Sequence, residues 1–206
     1  MVRLIRGPVG MLCVLAVLSQ PSSAQDEADR LVRQLRDFPA ALQPEGRLTA
    51  TEQNRRELYA KLRDLGDQAL PALTRGLVDP EVQLRRNVAL FLDVAGGTWF
   101  DASRRTMNIE PAIPALIVSL EDQDGRVREL SAQAIGEIGP KAAAAVPALI
   151  RLLANFEEGS RNTACIGLGG IGRAARDALP ALRNALSDPS EPVRRFAQRA
   201  IQRIED

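Results

Sequence analysis

Four arginines recur at one place in a repeating frame. Arg85, Arg128, Arg161 and Arg194 each follow a proline at the same interval, the prolines being Pro71, Pro114, Pro147 and Pro180. A row of guanidiniums supplies forked, permanently charged donors that suit phosphate or carboxylate. Between each proline and its arginine, again at a constant place, stands an acid or an amide: Asp79, Asp122, Asn155 and Asp188. At 100° per residue, the arginine position falls about 75° from the centre of a buried helical stripe. Its stem then packs at a seam, and its head reaches a carboxylate in its own unit or the next. The spacing therefore predicts structural ion pairs between repeats, not a phosphate site. Asn155 replaces the acid in the third unit and Ser160 the usual valine, which leaves that unit's Asp–Arg contact open.

Other chemistry-bearing groups are few. The chain has no histidine, which removes the commonest general base and zinc ligand. Gly167-Leu168-Gly169-Gly170-Ile171-Gly172 fits a dinucleotide fingerprint, but that motif must follow a strand and open a helix. Here it closes a helical segment and aligns with Ala134, Gly136 and Gly139 of the preceding unit. Asp122-Gln123-Asp124-Gly125 has Leu120 where a calcium loop needs its first carboxylate, so its acids read as turn and cap residues. Cys165 takes the slot of Ala89 and Ala132, as a small buried residue would. No catalytic residue, cofactor site or metal site is predicted.

The elements that position these groups come in repeats. Leu70-Pro71-Ala72-Leu73 returns as Ile113-Pro114-Ala115-Leu116, Val146-Pro147-Ala148-Leu149 and Leu179-Pro180-Ala181-Leu182. The last three phrases are evenly spaced, and the interval between the first two is longer. Recurrence every few tens of residues marks a stacked array. Each unit reads as two helices. The first starts at the proline, whose fixed φ and missing N–H suit an opening turn. It presents Leu73 with Leu77, Leu116 with Leu120, Leu149 with Leu153, and Leu182 with Leu186 on one face. The second helix carries its apolar residues at Leu84, Val88, Phe91, Leu92 and Ala95 in the first unit and at the matching places in the others, which is helical spacing. Gly96, Gly139 and Gly172 follow it where a left-handed cap is expected.

This pattern resembles the HEAT-repeat family, in particular the short HEAT-like units of phycobilisome lyases. Val127-Arg128 and Ala134-Ile135-Gly136-Glu137-Ile138-Gly139 carry the likeness, which extends over residues 50–206. Ankyrin repeats would need a Thr-Pro-Leu-His phrase, and the Trp and Tyr pattern of tetratricopeptide repeats is missing. The resemblance implies an all-α, right-handed α-solenoid of four to five helical pairs whose second helices line a binding surface. Residues 67–206 hold four repeats, with an insertion near 96–109. Residues 25–66 form capping helices of a degenerate unit, with Arg55 placed before Gly66 as Arg128 is before Gly139. Gln198 and Gln202 give the last unit a polar face, as a terminal cap requires.

Residues 1–24 read as an export signal: Arg3 and Arg6, an apolar run, then Ser22-Ser23-Ala24, with cleavage before Gln25. The apolar run is too short to span a bilayer. Cleavage removes two arginines and no acid, which leaves a near-neutral chain with no electrostatic reason to bind nucleic acid. The predicted function is an exported, non-enzymatic scaffold that binds a protein or peptide. The alternatives are a lyase-type or chromophore-handling protein and a structural spacer. Opposite the buried stripe on the second helices lie Arg86 and Leu90, Glu129 and Gln133, Asn162 and Ile166, Arg195 and Arg199. This mixed ribbon, with two exposed aliphatics, suits a peptide better than a polyanion. Trp99 and Phe100 in the insertion either join that surface or plug an inter-repeat groove.

Overall fold

Each proline-led phrase begins a helix, and each arginine-bearing segment forms the helix that packs beside it. A computed structural model describes residues 23–39, 50–96, 107–155 and 157–206. Among the described residues the α-helices run in order: Ser23–Gln34 (α1), Ala50–Leu65 (α2), Leu70–Leu77 (α3), Val82–Gly96 (α4), Ile113–Ser119 (α5), Gly125–Ile138 (α6), Val146–Leu153 (α7), Glu158–Ile171 (α8), Leu179–Ala185 (α9) and Glu191–Glu205 (α10). There is no strand among the described residues. The even-numbered helices pack in sequence, α4 on α6, α6 on α8 and α8 on α10, while α3 meets α5 and α7 meets α9 in the other layer. The result is an α-solenoid with its core between two helical layers.

The core is built from the predicted positions. Leu73, Leu77, Leu116, Leu120, Leu149 and Leu182 are buried, as are Leu84, Val127, Ser160 and Val193 at their common place in the second helices. Leu186 departs from the pattern at 42% exposure, because no further helix among the described residues covers that end of α9. The links Gly139–Ala145 and Gly172–Ala178 are 3-10 turns that lead straight into α7 and α9. One other feature differs from the sequence reading: Gly96 ends α4 without a positive φ, whereas Gly66, Gly139 and Gly172 adopt φ of 54°, 74° and 65°. Gly139 pairs that φ with ψ −144°, a backbone region open essentially to glycine alone.

The arginine ladder joins the units in two directions at once. Arg85 forks onto Asp122 of the next unit at 2.7 and 3.0 Å, while its Nη1 donates back to the Asp79 and Pro80 carbonyls at 2.9 and 3.1 Å. Arg161 repeats this with Asp188 at 2.7 and 3.0 Å and the Asn155 carbonyl at 3.1 Å. The same Asp or Asn also shapes its own turn, accepting the backbone N–H two residues on in Asp79, Asp122, Asn155 and Asp188. Asn155 keeps the turn role but lacks the charge. Arg128 therefore pairs with Glu157, also donating to Ser160 Oγ at 3.2 Å and to the Asp122 and Gln123 carbonyls at 2.6 and 3.1 Å. Glu157 supplies the charge that Asn155 lacks, and Ser160 adds a further acceptor.

Before the first proline-led unit, α1 packs on α2 and on α3. Arg55 is 4% exposed and donates to the Pro39 carbonyl at 3.1 Å. Asn87 ties this cap to the array through Nδ2, donating to the Leu35 and Phe38 carbonyls at 2.7 and 2.8 Å. Tyr59 meets Phe91 edge-on, with centroids 5.0 Å apart. The proposed cleavage point, Ala24–Gln25, falls in the first turn of α1, and residues 1–22 lie outside the described residues.

Replacing Arg128 with alanine strips donors from Glu157, Ser160 and two turn carbonyls at a site where the arginine is 6% exposed. Arg128→Ala is expected to lower unfolding stability by about 1.5–3 kcal/mol, the range for hydrogen bonds to charged groups. Denaturant titration checks this; an unchanged midpoint contradicts the seam role.

Candidate functional site

Stacking the second helices leaves a groove of about 780 Å³ across four of them. Asp93 of α4 stands at one side, with Glu137 and Gln133 of α6 beside it. Ile166, Gly169 and Gly170 of α8 form the floor, and Phe196, Arg199 and Arg203 of α10 close the far side. Glycine makes this floor. A Cβ on Gly170 would lie 2.6 Å from Gly136 Cα, and one on Gly167 would lie 2.8 Å from the Ala132 carbonyl oxygen. Glycine therefore lets α6 and α8 approach until their backbones touch. The motif that resembled a dinucleotide fingerprint is a helix-packing surface.

The predicted ribbon divides. Gln133, Ile166 and Arg199 line the groove. Glu129 is half-buried, paired with Arg126 at 3.2 Å, and packs over Gly159. Asn162 is half-buried with Oδ1 enclosed, and Arg195 is exposed beside Phe196. Two members need correction. Leu90, expected to be exposed, is 3% exposed. It lies within Val88-Ala89-Leu90-Phe91-Leu92, all buried, and this unbroken run covers a full helical turn, so α4 has no open face there. Arg86 is committed to Asp124, which it meets at 2.9 and 2.5 Å. Trp99 and Phe100 lie outside the described residues.

The sequence reading missed Asp93, Gly136, Glu137, Gly169, Gly170 and Arg203 as groove residues. In their units they stand one helical turn beyond the ribbon position of Leu90, Gln133, Ile166 and Arg199, so the same periodicity extended by a turn reaches them.

Charge is distributed unevenly. Burial pushes the Asp93 carboxyl up to about 6, with Glu137 adding to the rise and Arg126 opposing it. Burial likewise pushes the Cys165 thiol up to about 12, so at neutral pH it is an un-ionised packing group. At the seams the direction reverses. Hydrogen bonds from Arg86 and Arg161 hold Asp124 and Asp188 below the usual carboxylate range.

The family model of the HEAT repeat matches residues 112–142. This segment is a HEAT repeat. It comprises α5, α6 and the glycine turn after them, and the neighbouring units repeat its geometry. A designed armadillo repeat protein solved with the peptide (KR)4 is similar at 20% identity, covering 87% of this chain and 82% of that one, with a TM-score of 0.60. Computationally designed armadillo repeat proteins for modular peptide recognition match at 22% identity over 86% and 82%, with a TM-score of 0.59. The complex of CpcE and CpcF of phycocyanin lyase from Nostoc sp. matches at 27% identity over 82% and 68%, with a TM-score of 0.53. No curated protein matches the sequence. The designed proteins establish a shared solenoid fold, and the lyase match agrees with the resemblance carried by the second-helix residues.

Because the folded pKa of Asp93 lies above its ordinary 3.8, ionising it opposes folding. The penalty is absent below about pH 4 and complete above about pH 6. Asp93→Asn is expected to stabilise the chain by about 1–3 kcal/mol near pH 8 and to give no gain below about pH 4. Melting curves at both pH values test the sign.

Proposed function

We propose that the chain is an exported, non-enzymatic scaffold that holds a protein segment or peptide in the second-helix groove. One observation carries this reading. Residues at the seams repeat from unit to unit, whereas the side chains facing the groove do not: Gln133, Ile166 and Arg199 occupy equivalent positions. The fold's periodic demands are met at the seams, which leaves the groove free to be shaped by a ligand. Similar designed solenoids include one solved with a peptide, and that likeness supports the same use here. The alternative, a lyase-type or chromophore-handling role, draws on the phycocyanin lyase likeness. It is disfavoured because Asp93 and Glu137 lie across the groove from Arg199 and Arg203 instead of converging on one reacting bond.

Capture of partners from an envelope extract, repeated with groove and control variants, tests the site. Ile166→Glu is expected to weaken the captured interaction at least about tenfold, the effect of placing an unpaired charge against an apolar contact. Val118→Glu, at a position 61% exposed on α5, is the control and is expected to leave capture intact. Equal capture by both variants places the partner elsewhere.

Export rests on the charge and apolar pattern of residues 1–24. Mass spectrometry of the chain recovered outside the cytosol is expected to begin at Gln25. Recovery only of the intact chain in the cytosol contradicts export.

A further inference from the structure

Three arginines on α10 stand apart from the ladder. Arg195, Arg199 and Arg203 follow one another at i, i+4 spacing, and all are exposed. Residues at this spacing stack on one face of a helix, where like charges weaken it. None of the three has an acidic partner among the described residues, whereas Arg85, Arg86, Arg128 and Arg161 each do. Arg195 and Arg199 are each held 5.5 Å from the Phe196 ring centroid, which fixes their heads beside an apolar surface at the groove's edge. The opposite edge carries the reverse sign, Asp93 on α4 and Glu137 on α6. Between them the floor is formed by Ile166 together with Gly136, Gly169 and Gly170, and the glycines add no side chain to it.

The dimensions set a length. From α4 to α10 the groove crosses consecutively packed helices α6 and α8. At about 8–10 Å per helix step, the two edges are roughly 24–30 Å apart. An extended chain advancing about 3.3–3.6 Å per residue needs about seven to nine residues to cover that distance. A nucleic acid would place phosphates against the acidic edge, and a uniformly basic peptide would meet the arginines.

We infer that the groove takes an extended peptide of mixed charge, with a lysine or arginine side chain at the Asp93 edge and an aspartate or glutamate side chain at Arg199 and Arg203. This specificity rests on the groove reading given above and adds the order and spacing of the charges. The apolar flank of Phe196 and Ile166 contacts the segment between them.

The test uses the full chain and end-blocked fluorescent peptides in an anisotropy titration. One peptide carries lysine and glutamate about eight residues apart; a second, of identical composition, carries them adjacent. The spaced peptide is expected to bind at least about tenfold more tightly. The double variant Arg199→Glu/Arg203→Glu changes exposed residues only, and its fold is checked by circular dichroism. It is expected to lose the spaced peptide by about tenfold or more and to prefer a peptide with lysine at both ends. Equal binding of the spaced and adjacent peptides, or unchanged affinity in the double variant, overturns the charge pattern and leaves the groove reading standing. No measurable binding of any of the peptides overturns the groove reading as well.

Discussion

One guanidinium per repeat sets the geometry on which the remaining structure depends. Its Nη1 closes the turn of its own unit by taking up backbone carbonyls, and its other nitrogens reach a carboxylate of the following unit. A turn carbonyl left without a donor and a half-buried acid left without a cation are both costly. Arg85, Arg128 and Arg161 satisfy both, so the angle between the helices of a unit and the placement of the next unit are settled by the same group, while Arg194 closes only its own turn. Lysine could not do this. An ammonium lacks the planar fork that lets one head address two directions.

Seam chemistry of this kind tolerates substitution if the charge is returned nearby. Asn155 preserves the turn, since its amide oxygen also accepts the backbone N–H two residues on. Glu157, two residues on, then supplies the missing negative charge to Arg128. Ser160, smaller than the valines at equivalent positions, adds a hydroxyl acceptor for Nε at the same place. The interaction follows electrostatics and reach, not a fixed position in the repeat.

The groove is a consequence of what the seams leave free. Apolar layers bury one face of each second helix, the ladder secures the turn end, and glycines draw α6 and α8 together. The outward face near the helix ends is then constrained by solubility alone. There the chain keeps an acid that burial makes reluctant to ionise at one edge and a run of exposed arginines at the other. Burial of the acid and repulsion between like charges one helical turn apart both cost stability. Features of that kind mark a surface shaped by something other than folding.

The sequence by itself determined the repeat, the helical pairs, the buried stripe and the partnership of the arginines with the turn acids, because these follow from periodicity and from the reach of a side chain along a helix. Tertiary structure alone decided which ribbon residues are open. Leu90 and Ile166 hold equivalent positions, yet the first is buried and the second lines the groove. The repeat frame places both alike, so their exposure is settled by what packs over each in the folded chain. The same holds for Arg86, whose guanidinium was free in the repeat pattern and is taken up by Asp124 in the stack. Asp93 and Arg203 belong to the first and last proline-led units and face one groove only because the units between them stack in register. Local rules fix each unit, while the accumulated stacking of units fixes what meets across them.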